Sequence, residues 1–386
     1  MSSCSKKGTI GWLSTAHLVC DTYSGFLNPL MPFIAMKLGI TLGIATIIIS
    51  ISHIFSSMLQ PIFGFYADNT LKRLFIFWGL ILVATFIPLT TLAPNVYILV
   101  LFMILGSLGG SFFHPQGTGF VHRFATPNTN AMGLFMSLGS IGFSIGPLVA
   151  AFVVQYLGME KLPITTFLGI ITAGLMFCFV PKLSNSGEIC QHKDLKKSFT
   201  EILTNKSIQY LLIISMMKTL VTNCACILLP FLWRDMGYSA FYIGIALFAF
   251  IFAGGIGSLV SHKVERLVGT KALLYFSMCI SLPLILGFAF TYQNHPIISL
   301  IIFLIMGFTT MLAQPVTVVM AQEIMPKYKS IVAGLMVGFS WGVIAVLLSA
   351  IGIIAEKFGI INVLVIAFIF PVLASYFVKF LGNKKE

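Results

Sequence analysis

The chain has 386 residues, of which 58% are hydrophobic and only 9% charged, with a mean hydropathy of +1.00. So few polar groups cannot cover a water-soluble globule of this size, which excludes soluble enzymes and leaves lipid as the solvent for most of the chain. The formal net charge of +12 would suit a nucleic-acid binder, but the basic residues lie between apolar runs and read as topology signals, so no nucleic-acid partner is expected.

Breaks at Gly, Pro and charge clusters predict twelve spans, near 9–36, 42–67, 74–92, 96–121, 129–157, 163–181, 207–234, 240–262, 270–291, 296–325, 329–355 and 360–381. Most reach the roughly 20 residues that a bilayer core requires. The first follows Lys6 and Lys7, like a secretory signal, but runs past Phe33 without a small-residue cleavage site and is read as a retained span. The side holding the termini carries most of the basic residues, from Lys6, Lys7, Lys72, Arg73 and Arg123 to Lys384 and Lys385; Lys37, Lys161, Arg234 and Lys357 lie opposite. The positive-inside rule therefore puts both termini in the cytoplasm of a multi-pass protein of the inner (plasma) membrane. Lys218 is left within the membrane.

Residues 182–206 form the longest polar stretch and divide the spans into a bundle over 1–181 and a bundle over 207–386, with a cytoplasmic linker between them. The halves resemble each other. Pro32 and Gly39 pair with Pro230 and Gly237 at an offset of 198, His114-Pro115 pairs with Gln314-Pro315 at 200, and Gly133-Leu134 with Gly334-Leu335 at 201. The expected fold is all-α and membrane-integral: twelve transmembrane helices in two pseudo-symmetric six-helix bundles, the arrangement of the major facilitator fold. The seven cysteines are scattered and match no zinc spacing, and Cys224 and Cys226 read as apolar filler. No cofactor or metal is expected, and the chain is expected to be a monomer.

After span 2, GFYADNTLKR (64–73) resembles the major facilitator loop motif, with Gly64, Asp68, Lys72 and Arg73 in register but Asn69 and Leu71 departing from it. Asp68 would latch one conformation by accepting from helix N-terminal amides or a basic residue; an ordinary charged turn is the other reading. The second-half counterpart keeps Gly257 and has Ser261 in place of the acid. In span 5, GSIGFSIGP (139–147) resembles the antiporter motif of drug exporters in that superfamily: Gly139, Gly142, Gly146 and Pro147 offer a groove and a kink for a rocking helix. Span 11 repeats the device with Gly334, Gly338 and Gly342. Plain helix packing remains the alternative.

HLVCD (17–21), MLQPIFGFYAD (58–68), FFHP (112–115) and PVTVVMAQEIMP (315–326) are together similar to the fosmidomycin resistance protein family of major facilitator transporters. The resemblance implies proton-driven export of a small phosphonate antibiotic. Gln116 stands where an acid is expected, a departure from the family's pattern.

Ionisable groups in a membrane must face protein or a water-filled cavity. In span 1, His17, Asp21, Ser24 and Asn28 make a polar stripe at helical spacing. Lys218 lies at the equivalent depth of span 7, where Thr219 aligns with Asp21, so Asp21 and Lys218 are candidates to pair directly or through substrate. Asp21 either carries the coupled proton or sits in a static ion pair. His114 either shuttles protons or satisfies the carbonyl freed by Pro115, and Glu323 is either a cytoplasmic proton site or a solvated helix end. His53 is expected to make core hydrogen bonds. Substrate contacts are expected from His17, Tyr23, Asn28, Gln60, Lys218, Asn223, Gln314 and Trp341.

The partners expected are thus a small-molecule substrate, protons and the lipid bilayer. The sequence points to a secondary active transporter, a proton-coupled antiporter exporting a small, anionic or phosphonate-like drug or metabolite. Proton-coupled uptake or release of a physiological or siderophore-related metabolite is the alternative. A primary pump would need a GxxxxGK[ST] loop, and none occurs.

Overall fold

A computed structural model describes residues 6–60, 62–63, 73–125, 129–181 and 195–382. All regular structure among them is helical. In the first half, span 1 comprises Lys6–Ser24 and Leu27–Leu38, span 2 Leu42–Ser57, span 3 Leu74–Leu89, span 4 Val96–Ala125, span 5 Thr129–Leu157 and span 6 Thr166–Phe179. In the second half, span 7 is Lys206–Asp235, span 8 Ala240–Val268, span 9 Thr270–Cys279 with Ser281–Thr291, and span 10 Pro296–Leu312 with Gln314–Ile324. Span 11 runs through Lys329–Gly334, a π turn at Leu335–Phe339 and Ser340–Phe358; span 12 runs through Ile360–Ala367, Ile369–Ala374 and a final 3-10 segment, Ser375–Phe380. Ten of these helical segments are long and apolar enough to cross a membrane, from Leu74–Leu92 to Ile360–Phe380, and Leu42–Ser57 is a shorter apolar helix. Large apolar side chains left exposed along them, such as Leu259, Phe290 and Ile297, present hydrocarbon where a soluble protein would present charge.

Four spans expected to be continuous are interrupted, and a proline accounts for each break. A proline has no N–H to bond the carbonyl four residues back. Pro29, Pro283, Pro315 and Pro371 free the carbonyls of Gly25, Cys279, Met311 and Ala367, at or next to the ends of the first helical pieces of spans 1, 9, 10 and 12. At one of these sites a side chain from another span fills the gap: Ser258 Oγ donates to the Met311 carbonyl at 3.2 Å. Pro115, Pro147 and Pro230 sit inside unbroken helices.

The chain divides into two compact units. One contains Met1–Ile40, Ile48–Gln191 and Trp233–Phe248; the other contains Thr41–Ile47, His192–Leu232 and Ala249–Glu386. In the first, Leu13, Ile76, Leu80, Met103, Phe113 and Phe135 are fully buried. In the second, Ile202, Leu211, Leu274, Val332 and Met336 form the centre of a larger apolar cluster.

Part of the stretch read as a polar linker is a helix, Leu195–Thr204. Its Ile202 is buried in the second unit's core, and Tyr328 Oη donates to Glu201 Oε2 at 2.6 Å. The apolar residues of that helix lie on one face, which gives it a place to dock. Residues 182–194 lie outside the described residues.

Candidate functional site

Gly139, Gly142 and Gly146 of span 5 face span 1. A Cβ on Gly142 would strike the Leu18 carbonyl, one on Gly146 would strike the Thr22 carbonyl, and one on Gly139 would sit 2.8 Å from His17 Nδ1. The approach is mutual at Gly25, where a Cβ would lie 2.8 Å from the Phe143 carbonyl oxygen and 2.9 Å from Pro147 Cδ. At Gly142, Gly146 and Gly25 backbone thus meets backbone directly, as small residues allow in membrane helices. Three of the four glycines accommodate backbone; Gly139 accommodates an imidazole.

That imidazole belongs to the one cluster of at least three His, Cys, Asp or Glu side chains near enough to share a small cation among the described residues: His17, Asp21 and His114, whose ligating atoms lie within 4.8 Å of one another. His17 Nε2 is 3.2 Å from Asp21 Oδ2, and His114 Nε2 is 3.5 Å from Asp21 Oδ1. His17 Nδ1 lies 2.8 Å from the Phe135 carbonyl oxygen. A carbonyl only accepts, so Nδ1 carries a hydrogen. The Phe135 ring also stacks on His17 with centroids 4.1 Å apart, and Phe113 and His114 stand at 5.8 and 5.2 Å.

The consequence is electrostatic. A neutral imidazole with hydrogen on Nδ1 presents a lone pair at Nε2, and a lone pair facing an ionised carboxylate at 3.2 Å is repulsive. The contact is attractive when one proton lies between Nε2 and Oδ2, whether it is assigned to the histidine or to the acid. The His17 side chain is 5% exposed, that of Asp21 16% and that of His114 28%, so His114 is the most exposed member of the cluster.

The remaining candidates separate into groups. Tyr23 is buried, donates to the Thr165 carbonyl and accepts from Gly169 N at 3.0 Å, so its hydroxyl ties span 1 to the start of span 6. Gln60 Nε2 donates to the Ser56 carbonyl at 2.7 Å, and Asn28 is half-buried just beyond the break in span 1. His53 is half-buried. Gly64, Asp68 and Lys72 lie outside the described residues. Arg73 donates to the carbonyls of Phe177 and Val180 and lies 4.5 Å over the Phe177 ring. A cation there complements the C-terminal end of span 6. Burial lowers the pKa of this guanidinium, the neighbouring Cys178 opposing the shift.

In the second unit, Lys218 is 2% exposed and its Nζ has no hydrogen-bond partner among the described residues. Within the first unit, Asp21 meets His17 and His114. One turn before Lys218, Ser215 Oγ donates to the Met336 carbonyl inside the π turn of span 11. Asn223 is buried and donates to the Thr219 carbonyl at 3.0 Å. Gln314 begins the second piece of span 10, and Trp341 follows the π turn; both are half-buried. Glu323 is exposed near the end of span 10. In span 11, Gly342 is buried and Gly338 half-buried, while Gly334 is exposed with nothing near its would-be Cβ.

Two residues have roles that sequence reading does not supply. Phe135 positions His17 by both its carbonyl and its ring, a role that nothing but three-dimensional contact reveals. Gln116, the departure from the expected acid, is 2% exposed and accepts from Ile76 N at 2.9 Å, capping the first turn of span 3. Its neutral amide oxygen does what a carboxylate would do there.

Known proteins resemble this chain along nearly its whole length. It is 24% identical over 395 residues to the fosmidomycin resistance protein of Escherichia coli (strain K12), covering 98% of this chain and 94% of that protein. It is 22% identical over 369 residues to the uncharacterized MFS-type transporter YfnC of Bacillus subtilis (strain 168), covering 94% and 90%. The crystal structure of a bacterial homolog of the human lysosomal transporter Spinster, inward-facing and occupied, superposes with a TM-score of 0.78 at 13% identity, covering 99% and 97% of the two chains. The model of the Major Facilitator Superfamily matches residues 13–349, and the chain, a multi-pass membrane transporter and not an enzyme, belongs to that superfamily.

Proposed function

We propose that this transporter is a proton-coupled antiporter that exports a small drug or metabolite by alternating access, and that His17, Asp21 and His114 hold the coupled proton. The observation that carries the reading is the 3.2 Å contact between His17 Nε2 and Asp21 Oδ2 with His17 Nδ1 committed to the Phe135 carbonyl. That contact needs a proton. Its loss turns an attraction into a repulsion inside the groove that seats span 1 on span 5.

A hydrogen bond to a charged group contributes about 1.5–3 kcal/mol, which multiplies the ratio of two conformations by roughly 10 to 150. Proton occupancy is therefore strong enough to bias one packing of spans 1 and 5 against another. His114 exchanges the proton with the surroundings.

Export is supported by the span 5 glycines and by a relative named for fosmidomycin resistance. Lys218, buried with no hydrogen-bond partner among the described residues, is suited to an acidic group on the cargo. The reading includes two six-helix bundles joined by a linker, cytoplasmic termini in an inner (plasma) membrane and a monomeric state.

The test is reconstitution into liposomes with an imposed pH gradient and a panel of phosphonates, organic acids and cationic drugs. Gradient-driven flux of an anionic member, abolished in Asp21→Asn, is expected. Absence of gradient-dependent flux for every member would overturn the reading.

A further inference from the structure

At the end of the second unit where spans 7, 9 and 12 meet, lysines and aromatic rings are interleaved. Lys379 folds back along its own 3-10 segment, so that Nζ stands 3.6 Å over the Tyr376 ring and 4.8 Å from the Phe380 centroid. Lys271, at the start of span 9, donates to the Lys379 carbonyl at 3.4 Å. The Tyr210 ring of span 7 lies 5.4 Å from that of Phe380, and Lys206 precedes Tyr210 by four residues on the same helix face. Two cations from two spans thus meet at one aromatic cluster, with Lys206 one turn from it on span 7.

Among the described residues none of these three lysines takes part in a salt bridge. An acid does stand near the start of span 9: Glu265 accepts from Thr270 Oγ1 at 2.8 Å and lies 3.8 Å from His262 Nδ1. The Lys271 ammonium uses one of its three hydrogens on the carbonyl, which leaves two for an acceptor.

The rings are not buried beneath this charge. Tyr376 is 55% and Phe380 46% exposed, in a segment that ends an apolar span. Exposed aromatics at a span end sit at the depth of lipid headgroups, and a lysine held over them is kept at that depth instead of reaching outward into water. Helix capping explains Lys271 alone; it does not explain why Lys379 lies flat on rings beside it.

We propose that this cluster is a binding site for the headgroup of an anionic phospholipid, with the phosphate received by Lys271 and Lys379 and the acyl chain lying along Tyr376 and Phe380. The end concerned is the one that the basic excess marks as cytoplasmic, where such lipids are the source of surface charge. The site lies within one unit and is independent of proton coupling.

The test uses the purified full-length protein, delipidated in mild detergent and titrated with phosphatidylglycerol, cardiolipin or phosphatidylcholine under native mass spectrometry. Retention of the anionic lipids over phosphatidylcholine is expected. It should weaken roughly fivefold for each lysine neutralised in Lys271→Gln and Lys379→Gln, and persist in Lys271→Arg with Lys379→Arg. Tyr376→Ala should weaken it while leaving both charges. A monodisperse double Gln variant that retains anionic lipid like the parent would overturn the proposal. So would full displacement of the lipid by millimolar inorganic phosphate, which would assign the lysines to a soluble anion.

Discussion

Gly139→Ala tests whether the span 5 groove and the proton cluster are one device. The added methyl would stand 2.5 Å from His17 Nε2 and 2.8 Å from Nδ1, about 1 Å inside van der Waals contact. His17 cannot yield without loss, because Nδ1 is bonded to Phe135 at 2.8 Å and Nε2 faces Asp21 at 3.2 Å. Overpacking costs about 1–3 kcal/mol, and a displaced hydrogen bond to a charged group about 1.5–3 kcal/mol more. Proton-coupled flux should therefore fall at least tenfold.

Gly174→Ala in span 6, with nothing near its would-be Cβ, should leave flux unchanged. The substitution pair Gly139→Ala and His17→Ala should be strongly non-additive, since removing the imidazole makes room for the methyl. Unaltered gradient-driven flux in Gly139→Ala, or simple additivity with His17→Ala, would refute the link between groove and proton.

Other substitutions separate scaffold from mechanism. Tyr23→Phe removes a hydroxyl that both donates to Thr165 and accepts from Gly169; it should cost about 1–3 kcal/mol, seen as a lower unfolding midpoint, with substrate KM unchanged. Gln116→Leu should destabilise by about 0.5–2 kcal/mol through the lost cap of span 3, while Gln116→Glu, which keeps the acceptor, should fold like the parent. Lys218→Met removes a buried side-chain nitrogen with no hydrogen-bond partner among the described residues and should raise the unfolding midpoint while abolishing transport of an anionic substrate. Tyr328→Phe should speed hydrogen exchange in Leu195–Thr204 by roughly tenfold, since the hydroxyl bonded to Glu201 holds that helix with about 1.5 kcal/mol or more.

The spans, the repeat and the groove are legible in sequence because they rest on local properties: apolar length, near-constant offsets and glycines at helical spacing. The interruptions of spans 1, 9, 10 and 12 each follow from a freed carbonyl, but sequence does not mark them, because Pro115, Pro147 and Pro230 sit in helices that stay continuous. His17 and Asp21 stand four residues apart on one helix face, and their contact follows from that spacing alone. His114 reaches the same acid only by tertiary packing between spans 1 and 4, which no spacing encodes. The same holds for Phe135, for Gln116 on Ile76 N and for Arg73 on the end of span 6. Tyr23 shows the limit from the other side, because nothing in its spacing reveals that its hydroxyl ties span 1 to Thr165 and Gly169.

The most direct test of a proton held between His17 and Asp21 follows internal pH in proteoliposomes while a transported substrate is added at zero imposed gradient. In the parent protein, substrate movement should carry protons the opposite way. In Asp21→Asn, counterflow exchange of labelled for unlabelled substrate should persist while the pH change disappears. A substrate-driven pH change of parental size in Asp21→Asn would contradict the account.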